Sequence, residues 1–393
     1  MKKDLSIYIH IPFCVSKCYY CDFVSFDSCN KEVIENYFKA IVKEIIMNSE
    51  LLTQRNIRTI YIGGGTPSFV DEKYIEMILK TIYMITDKNK IEEITIEVNP
   101  SSLNLSKAKK YYELGINRIS IGLQTIYNDI LKIIGRKHTY EKFIEILNIL
   151  NEVGFKNISC DIIYPLPNLD FKRFENEMDE IITLVKKYPL KHISVYNLEI
   201  HKGSKLDFLI NEGYLEMCDE DEEYKMREVL NNKLKEAGFI NYEISNYSLK
   251  LYESKHNITY WNQDEYLGLG LNSSSFINGS RYKNISNINE YIDNLNNGNI
   301  IKEDREDLDF LSLIREYVIL RLRLSEGIIL RDFERKFNSS IYKYFENEIE
   351  ELKTNNLIEV SDANIKLSKR GKEVANFVWE KFIWYIFSYM IEY

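Results

Sequence analysis

Cys14-Val15-Ser16-Lys17-Cys18-Tyr19-Tyr20-Cys21 places three thiols in one short loop, directly after the apolar run Ile7-Tyr8-Ile9-His10-Ile11 and its stop at Pro12. A structural zinc site wants four protein ligands in two pairs, and no second Cys or His pair at ligand spacing occurs elsewhere in the chain. Three thiolates suit a cubane of four irons, in which each Cys holds one iron and the fourth stays open to a ligand that is not protein. The spacing and its position after a first strand outweigh the bland reading of three unmetallated thiols. Cys29, Cys160 and Cys218 fit no such pattern and read as ordinary reduced thiols.

Outward from this loop, β-rich runs alternate with helical patterns six times between Leu5 and about Asn197. The expected strands are Leu5 to His10, Arg58 to Ile62, Glu93 to Val98, Arg118 to Ile121, Asn157 to Ile163 and His192 to Asn197. Between the first two, Val33, Ile34, Tyr37, Phe38, Ile41, Val42, Ile45 and Ile46 recur at helical spacing as one buried stripe. Helices are expected around Tyr74 to Tyr83, Ala108 to Leu114, Tyr140 to Val153 and Phe171 to Lys187. Strand-helix units of about 30 residues in series mean a parallel sheet. Periodicity does not distinguish a closed sheet from an open one, but the polar residues do: Gly63-Gly64-Gly65-Thr66, Glu97, Gln124 and Asp161 all fall at or just after strand C-termini. In a βα barrel that is the mouth where sites are assembled from several strands.

After Asn197 the pattern changes. A charged helix from about Asp219 to Ala237, then Tyr242 to Tyr247 and a Gly/Asn/Ser-rich stretch from Gly268 to Asn299, read as extensions wrapping the barrel. From Glu303 a new unit begins, with helices at Leu311 to Leu324, Leu330 to Phe337 and Ile341 to Thr354. It ends in the strand-turn-strand Leu357 to Val360 and Ile365 to Leu367, so a winged-helix-like domain is expected. The divisions are 1–240 for the barrel, 241–302 for the extension and 303–393 for the C-terminal domain. A winged helix often binds DNA, but its surroundings here are not strongly basic, so a lid or docking role is preferred.

At 393 residues and 45% hydrophobic, the chain has material for a large core and a small second one. A net charge of −9 without a Lys/Arg block argues against a non-specific nucleic-acid binder, which needs a basic face to displace phosphate counterions. Met1-Lys2-Lys3 is followed by no long apolar leader, and the cysteines form no disulfide framework, so a reducing cytoplasm is expected. No run reaches the roughly 18 apolar residues of a spanning helix. The nearest, Phe382 to Ile391, reads as a helix packed on the body or as a foot in a membrane interface, where Trp and Tyr are favoured.

The Cys-x3-Cys-x2-Cys loop resembles that of the radical S-adenosylmethionine (SAM) proteins. The resemblance narrows with Ile9-His10-Ile11-Pro12-Phe13-Cys14, Gly63-Gly64-Gly65-Thr66-Pro67-Ser68, Glu97-Val98-Asn99-Pro100, Gly115 to Gln124 and Asp161 to Pro167. Together these look like the oxygen-independent coproporphyrinogen III oxidase family over nearly the whole chain. Its enzyme branch carries a further Cys where this chain has Phe23. His256-Asn257-Ile258-Thr259-Tyr260-Trp261 resembles the His-Asn-x-x-Tyr-Trp motif of the HemW branch of heme chaperones.

The resemblance implies an incomplete (βα)6 barrel with Cys14, Cys18 and Cys21 as ligands of a 4Fe-4S cluster. For SAM it implies Gly64, Gly65 and Thr66 at the amino group, with Glu97, Gln124, Arg136 and Asp161 converging at the mouth. Tyr8 and Tyr20 join as flanks of the cluster. Without it, the triple glycine reads as a sharp turn, Glu97 as a solvated strand end, Arg136 as a helix-end cation and the tyrosines as core. For heme, the resemblance implies His256 as axial ligand, where a lone histidine would otherwise be a satisfied interior group; His201 is the alternative. Pro165, His201 and Ser274 depart from the family's usual residues on the porphyrin side. The implied function is a cytoplasmic heme chaperone that passes heme to an acceptor protein, with peripheral membrane contact and a homodimer among the partners it admits. The rivals are coproporphyrinogen III decarboxylation and radical SAM chemistry on another substrate.

Overall fold

A computed structural model describes residues 2–27 and 29–383. Its six parallel strands are β1 (Asp4–Ile11), β2 (Asn56–Gly64), β3 (Glu93–Val98), β4 (Arg118–Gln124), β5 (Ile158–Tyr164) and β6 (Leu190–Asn197), paired in that order. Each expected strand is present, and β2 and β4 run two to three residues further than the apolar pattern suggested. The residues added at the C-terminal ends, Gly63 and Gly64 in β2 and Gly122, Leu123 and Gln124 in β4, carry the strands to the mouth, and Leu123 among them is buried in the apolar core.

Strands buried on both faces usually read as continuous apolar runs. These alternate instead. Ile94, Ile96, Ile119, Ile121, Cys160 and Ile162 are buried in the apolar core beneath the helices, while Glu93, Thr95, Glu97, Arg118, Ser120, Gly122 and Asp161 occupy the other positions, which strand geometry assigns to the opposite, inner face. The helices cover the outer face. Helix Lys31–Met47, capped by Asn30 accepting from the Val33 amide at 2.8 Å, buries Tyr37, Phe38, Ile41 and Ile45. Ile46, expected in the same stripe, is 54% exposed because the stripe is narrower than the apolar run. Helices Glu72–Ile85, Leu105–Glu113, Tyr140–Val153 and Phe171–Lys187 complete the outer layer.

The stretches read as wrapping extensions also contribute strands. β8 (Asn246–Ser248) adds antiparallel to β6, and β7 (Ile240–Asn241) pairs antiparallel to β8 outside it. β9 (Tyr266–Leu269) lies parallel to β1, followed by β10 (Ser274–Ile277), β11 (Ser280–Asn284) and β12 (Lys302–Asp307). Among the described residues the sheet has twelve strands, running from β12 through β1 to β6 and ending at β7, with its two ends unpaired. The barrel is therefore incomplete.

A second apolar core begins with helix Phe310–Leu322 and includes Ile314, Val318, Phe333, Ile349 and Leu352. Helices Leu330–Phe337 and Tyr342–Thr354 precede the hairpin β14 (Ile358–Val360) and β15 (Asn364–Leu367). The expected two-strand wing gains a short third strand, β13 (Ile328–Ile329), paired to β15. Phe382 is buried in this core; the rest of the C-terminal aromatic run beyond Ile383 lies outside the described residues. No helix among the described residues is long and apolar enough to cross a membrane.

Candidate functional site

Past Ile11 the chain turns back on itself: the Phe26 amide donates to the Pro12 carbonyl at 2.7 Å and the Cys14 amide to the Phe26 carbonyl at 2.9 Å. This clasp fixes the loop that carries the thiols. Thr66 Oγ1 donates to Cys14 Sγ at 3.5 Å and Arg136 Nη1 to Cys18 Sγ at 3.6 Å. Burial pushes the Cys14 and Cys21 thiols up, and the Thr66 bond partly offsets this at Cys14. Cys14, Cys18, Cys21 and Tyr20 line one cavity of about 590 Å³ together with Gly64, Gly65, Thr66, Glu97, Gln124, Arg136 and Asp161.

The strand ends hold the polar groups by short bonds. Tyr61 Oη donates to Glu97 Oε1 at 2.8 Å and the Gly64 amide to Oε2 at 3.1 Å. Burial, joined by the charge of Asp161, nevertheless lifts Glu97 to about 7. Asp161 accepts from Ser120 at 3.2 Å; burial raises it, and Ser194 and Arg118 pull it back. Arg136 Nη2 donates to the Gly122 carbonyl at 2.8 Å, and its Nε is buried without a partner. A Cβ on Gly64, at φ +112°, would lie 2.5 Å from the His10 ring, and one on Gly65 would lie 3.0 Å from Cys14 Sγ. Gly65 thus lets the backbone come against the Cys14 thiol, and Gly64 lets it come against the His10 ring.

Residues 8–181 match the Radical SAM superfamily and residues 311–374 the HemN C-terminal domain. The "Heme chaperone HemW" of Lactococcus lactis is 34% identical over 98% of this chain and 98% of its own length. That of Bacillus subtilis is 31% identical over 96% and 99%. The chain belongs to the HemW family of radical SAM proteins. The solved coproporphyrinogen III oxidase HemN of Escherichia coli shares the fold, with a TM-score of 0.84 at 19% identity over 98% of this chain and 91% of its own.

Membership in the radical SAM superfamily implies a 4Fe-4S cluster and SAM, and the mouth fits both. Among the described residues no three His, Cys, Asp or Glu side chains close on a point where one metal ion would sit; a cubane spreads its thiolates over three irons. The unpartnered Arg136 Nε, the side-chain-free edge at Gly64 and Gly65 and the two carboxyls suit the amino acid and ribose of SAM. When bound, the pair supplies one-electron cleavage chemistry at the sulfonium.

Tyr8, expected beside the cluster, and His256, expected as the heme ligand, both lie outside the mouth cavity. Tyr8 does not line the mouth cavity. It lines a second one of about 650 Å³, beside His10, Phe23, Tyr260, Trp261, Tyr266, Phe276 and Arg281. Phe23 and Asp22 line both cavities. His256 lines neither. It is 1% exposed, with Nδ1 2.7 Å from Thr59 Oγ1 and Nε2 2.8 Å from Tyr260 Oη, and burial lowers it to about 3. In this geometry both ring nitrogens are engaged, as in the satisfied interior histidine. The alternative, His201, lines the mouth cavity instead. Residue-by-residue reading missed Tyr61, Ser120 and Ser194, which hold the two carboxyls. Their signal was the alternation along β2, β4 and β6 that puts them on the inner face.

Proposed function

We propose that the chain is a heme carrier that keeps the radical SAM cluster and SAM site, binds heme in the second cavity and hands it to an acceptor protein. The observation that carries this is the second cavity itself. It is of ligand-binding size, walled by aromatic faces suited to a macrocycle, and bordered by the Tyr260-Trp261 end of the His-Asn-x-x-Tyr-Trp motif. Arg281 stands in the wall ion-paired with Glu316, so a propionate would have to displace that carboxylate to reach it. Helix Phe310–Leu322 supplies Glu316 and Leu320 to its wall, which supports a lid role for the C-terminal unit. The curated names of the relatives point the same way. Six unpaired cysteines suit a reducing cytoplasm.

The test is anaerobic reconstitution of the full chain, followed by parallel titration with ferric heme and assay of SAM-dependent coproporphyrinogen III decarboxylation. Near-stoichiometric heme binding without decarboxylation is expected. Decarboxylation by protein that retains no heme would replace the carrier with the enzyme.

A further inference from the structure

We propose that Glu177, on the outer helix Phe171–Lys187, is a positioning residue for SAM: through Thr125 it fixes the backbone of Gln124, and with it the place of the Gln124 amide beside Arg136. This rests on the SAM site of the proposed function and adds to it a residue outside the mouth cavity.

Strand β4 ends irregularly. Its register with β5 slips between Gly122 and Gln124, and Gln124 takes φ +71°, a left-handed backbone that a residue with a Cβ holds only where its surroundings impose it. The slip matters to the mouth because two of its side chains meet there. A Cβ on Gly122 would lie 2.6 Å from Gln124 Nε2 and 2.8 Å from Arg136 Nη2, so the amide and the guanidinium share the space over the bare glycine. Both line the cavity.

The residues around Gln124 are held one by one. Arg136 Nη2 donates to the Gly122 carbonyl, His138 Nε2 donates to the Leu123 carbonyl at 3.2 Å, and the Thr125 hydroxyl donates to Glu177 Oε2 at 2.7 Å. Thr125 Oγ1 also accepts from the Tyr127 amide at 3.3 Å, which leaves its one hydrogen for the carboxyl.

Glu177 stands where helix packing alone would place an apolar side chain. Its helix buries Phe174, Met178, Ile181 and Leu184 along the same stripe, and Glu177 is 1% exposed among them. Arg173, one turn earlier, pairs with Asp129 instead, at 2.7 Å. A buried carboxyl without a salt bridge is costly, and burial pushes this one up to about 8 against the bonds from Thr125 and Ile126. Fastening the turn to the helix does not require it, since Tyr127 Oη donates to the Arg173 carbonyl at 2.8 Å and the Arg173 guanidinium lies 4.1 Å from the Tyr127 ring. What Glu177 adds is a fixed point on the residue next to Gln124. Without that acceptor the Thr125 hydroxyl turns elsewhere, the left-handed backbone loses its support and the amide leaves Arg136.

The test titrates the full, cluster-reconstituted chain with SAM, by calorimetry and by electron paramagnetic resonance of the reduced cluster. Glu177→Gln, whose side-chain oxygen still accepts from Thr125, should bind SAM within about twofold of wild type. Glu177→Met keeps the volume and removes the acceptor, and should bind about tenfold more weakly. Thr125→Val breaks the same bond from the other end and should match it, and the double variant should be no weaker than the worse single one. Iron and sulfide content and the denaturant midpoint are followed in parallel, because a merely stapling residue would move the midpoint and leave the affinity of the folded chain alone. Unchanged affinity in Glu177→Met overturns the proposal, as do additive losses in the double variant or a loss in Glu177→Gln as large as in Glu177→Met. If Glu177→Met does not fold, Thr125→Val decides by the same affinity. Wild type that binds no SAM would overturn the SAM site as well, and that failure is visible before any variant is made.

Discussion

Cys14, Cys18 and Cys21 share one cavity, whereas Cys29 does not line it. Replacing any one of the three with Ala should abolish the cluster, while Cys29→Ala should keep its iron and sulfide after reconstitution; equal loss in both would remove the ligand assignment. Glu97 gives a prediction in pH. Its folded value of about 7 lies above the ordinary range for a glutamate. Between the two values the folded chain holds a proton that the unfolded chain lacks, so this contribution to stability is present below the unfolded value and is lost as pH climbs through about 7. Glu97→Gln should flatten that slope and unfold at higher denaturant than wild type near pH 8, by roughly 1–3 kcal/mol. The same variant should bind SAM more weakly, since an amide offers one acceptor where the carboxylate offers two. Parallel pH slopes in wild type and variant would show that Glu97 is not the titrating group.

At the scale of elements, the β2 terminus is where the fold makes the site, because Gly64 presents its amide to Glu97 while its bare α-carbon abuts the His10 ring. Gly64→Ala should cost roughly 1–3 kcal/mol through strain and overpacking and should lower SAM affinity in calorimetric titration; unchanged affinity would mean that this edge is not against the ligand. The six barrel strands and the residues at their ends were legible because strand period and stop signals are local. β9 was not, because its parallel pairing with β1 joins Ser6 to Tyr266, and no local pattern encodes a partner so far along the chain. The surroundings of His256 were hidden for a related reason. The motif named its aromatic neighbours, but only the packing of helix Lys255–Trp261 against β2 shows that Thr59 and Tyr260 take both ring nitrogens.

Across the whole molecule, Arg321 fastens the C-terminal unit to the barrel. Buried to 5% exposure, it donates from Nε to the Gly327 carbonyl at 3.1 Å and from Nη1 to Asn262, one residue beyond the motif. Arg321→Ala should lower stability by roughly 2–4 kcal/mol, because it strands buried acceptors. Denaturant unfolding measures this, and a loss below about 0.5 kcal/mol would show that the two cores hold together without it. The open sheet also has two ends that could template another chain. At one end β7 is only two residues long; at the other, β12 reads Lys302-Glu303-Asp304-Arg305-Glu306-Asp307, exposed at every position and bent by a register shift where it meets β11. Such edges resist strand addition. Replacing the β12 charges with Thr should leave the barrel folded yet turn a clear solution into a light-scattering one, so these six residues serve colloidal stability although they touch neither cofactor.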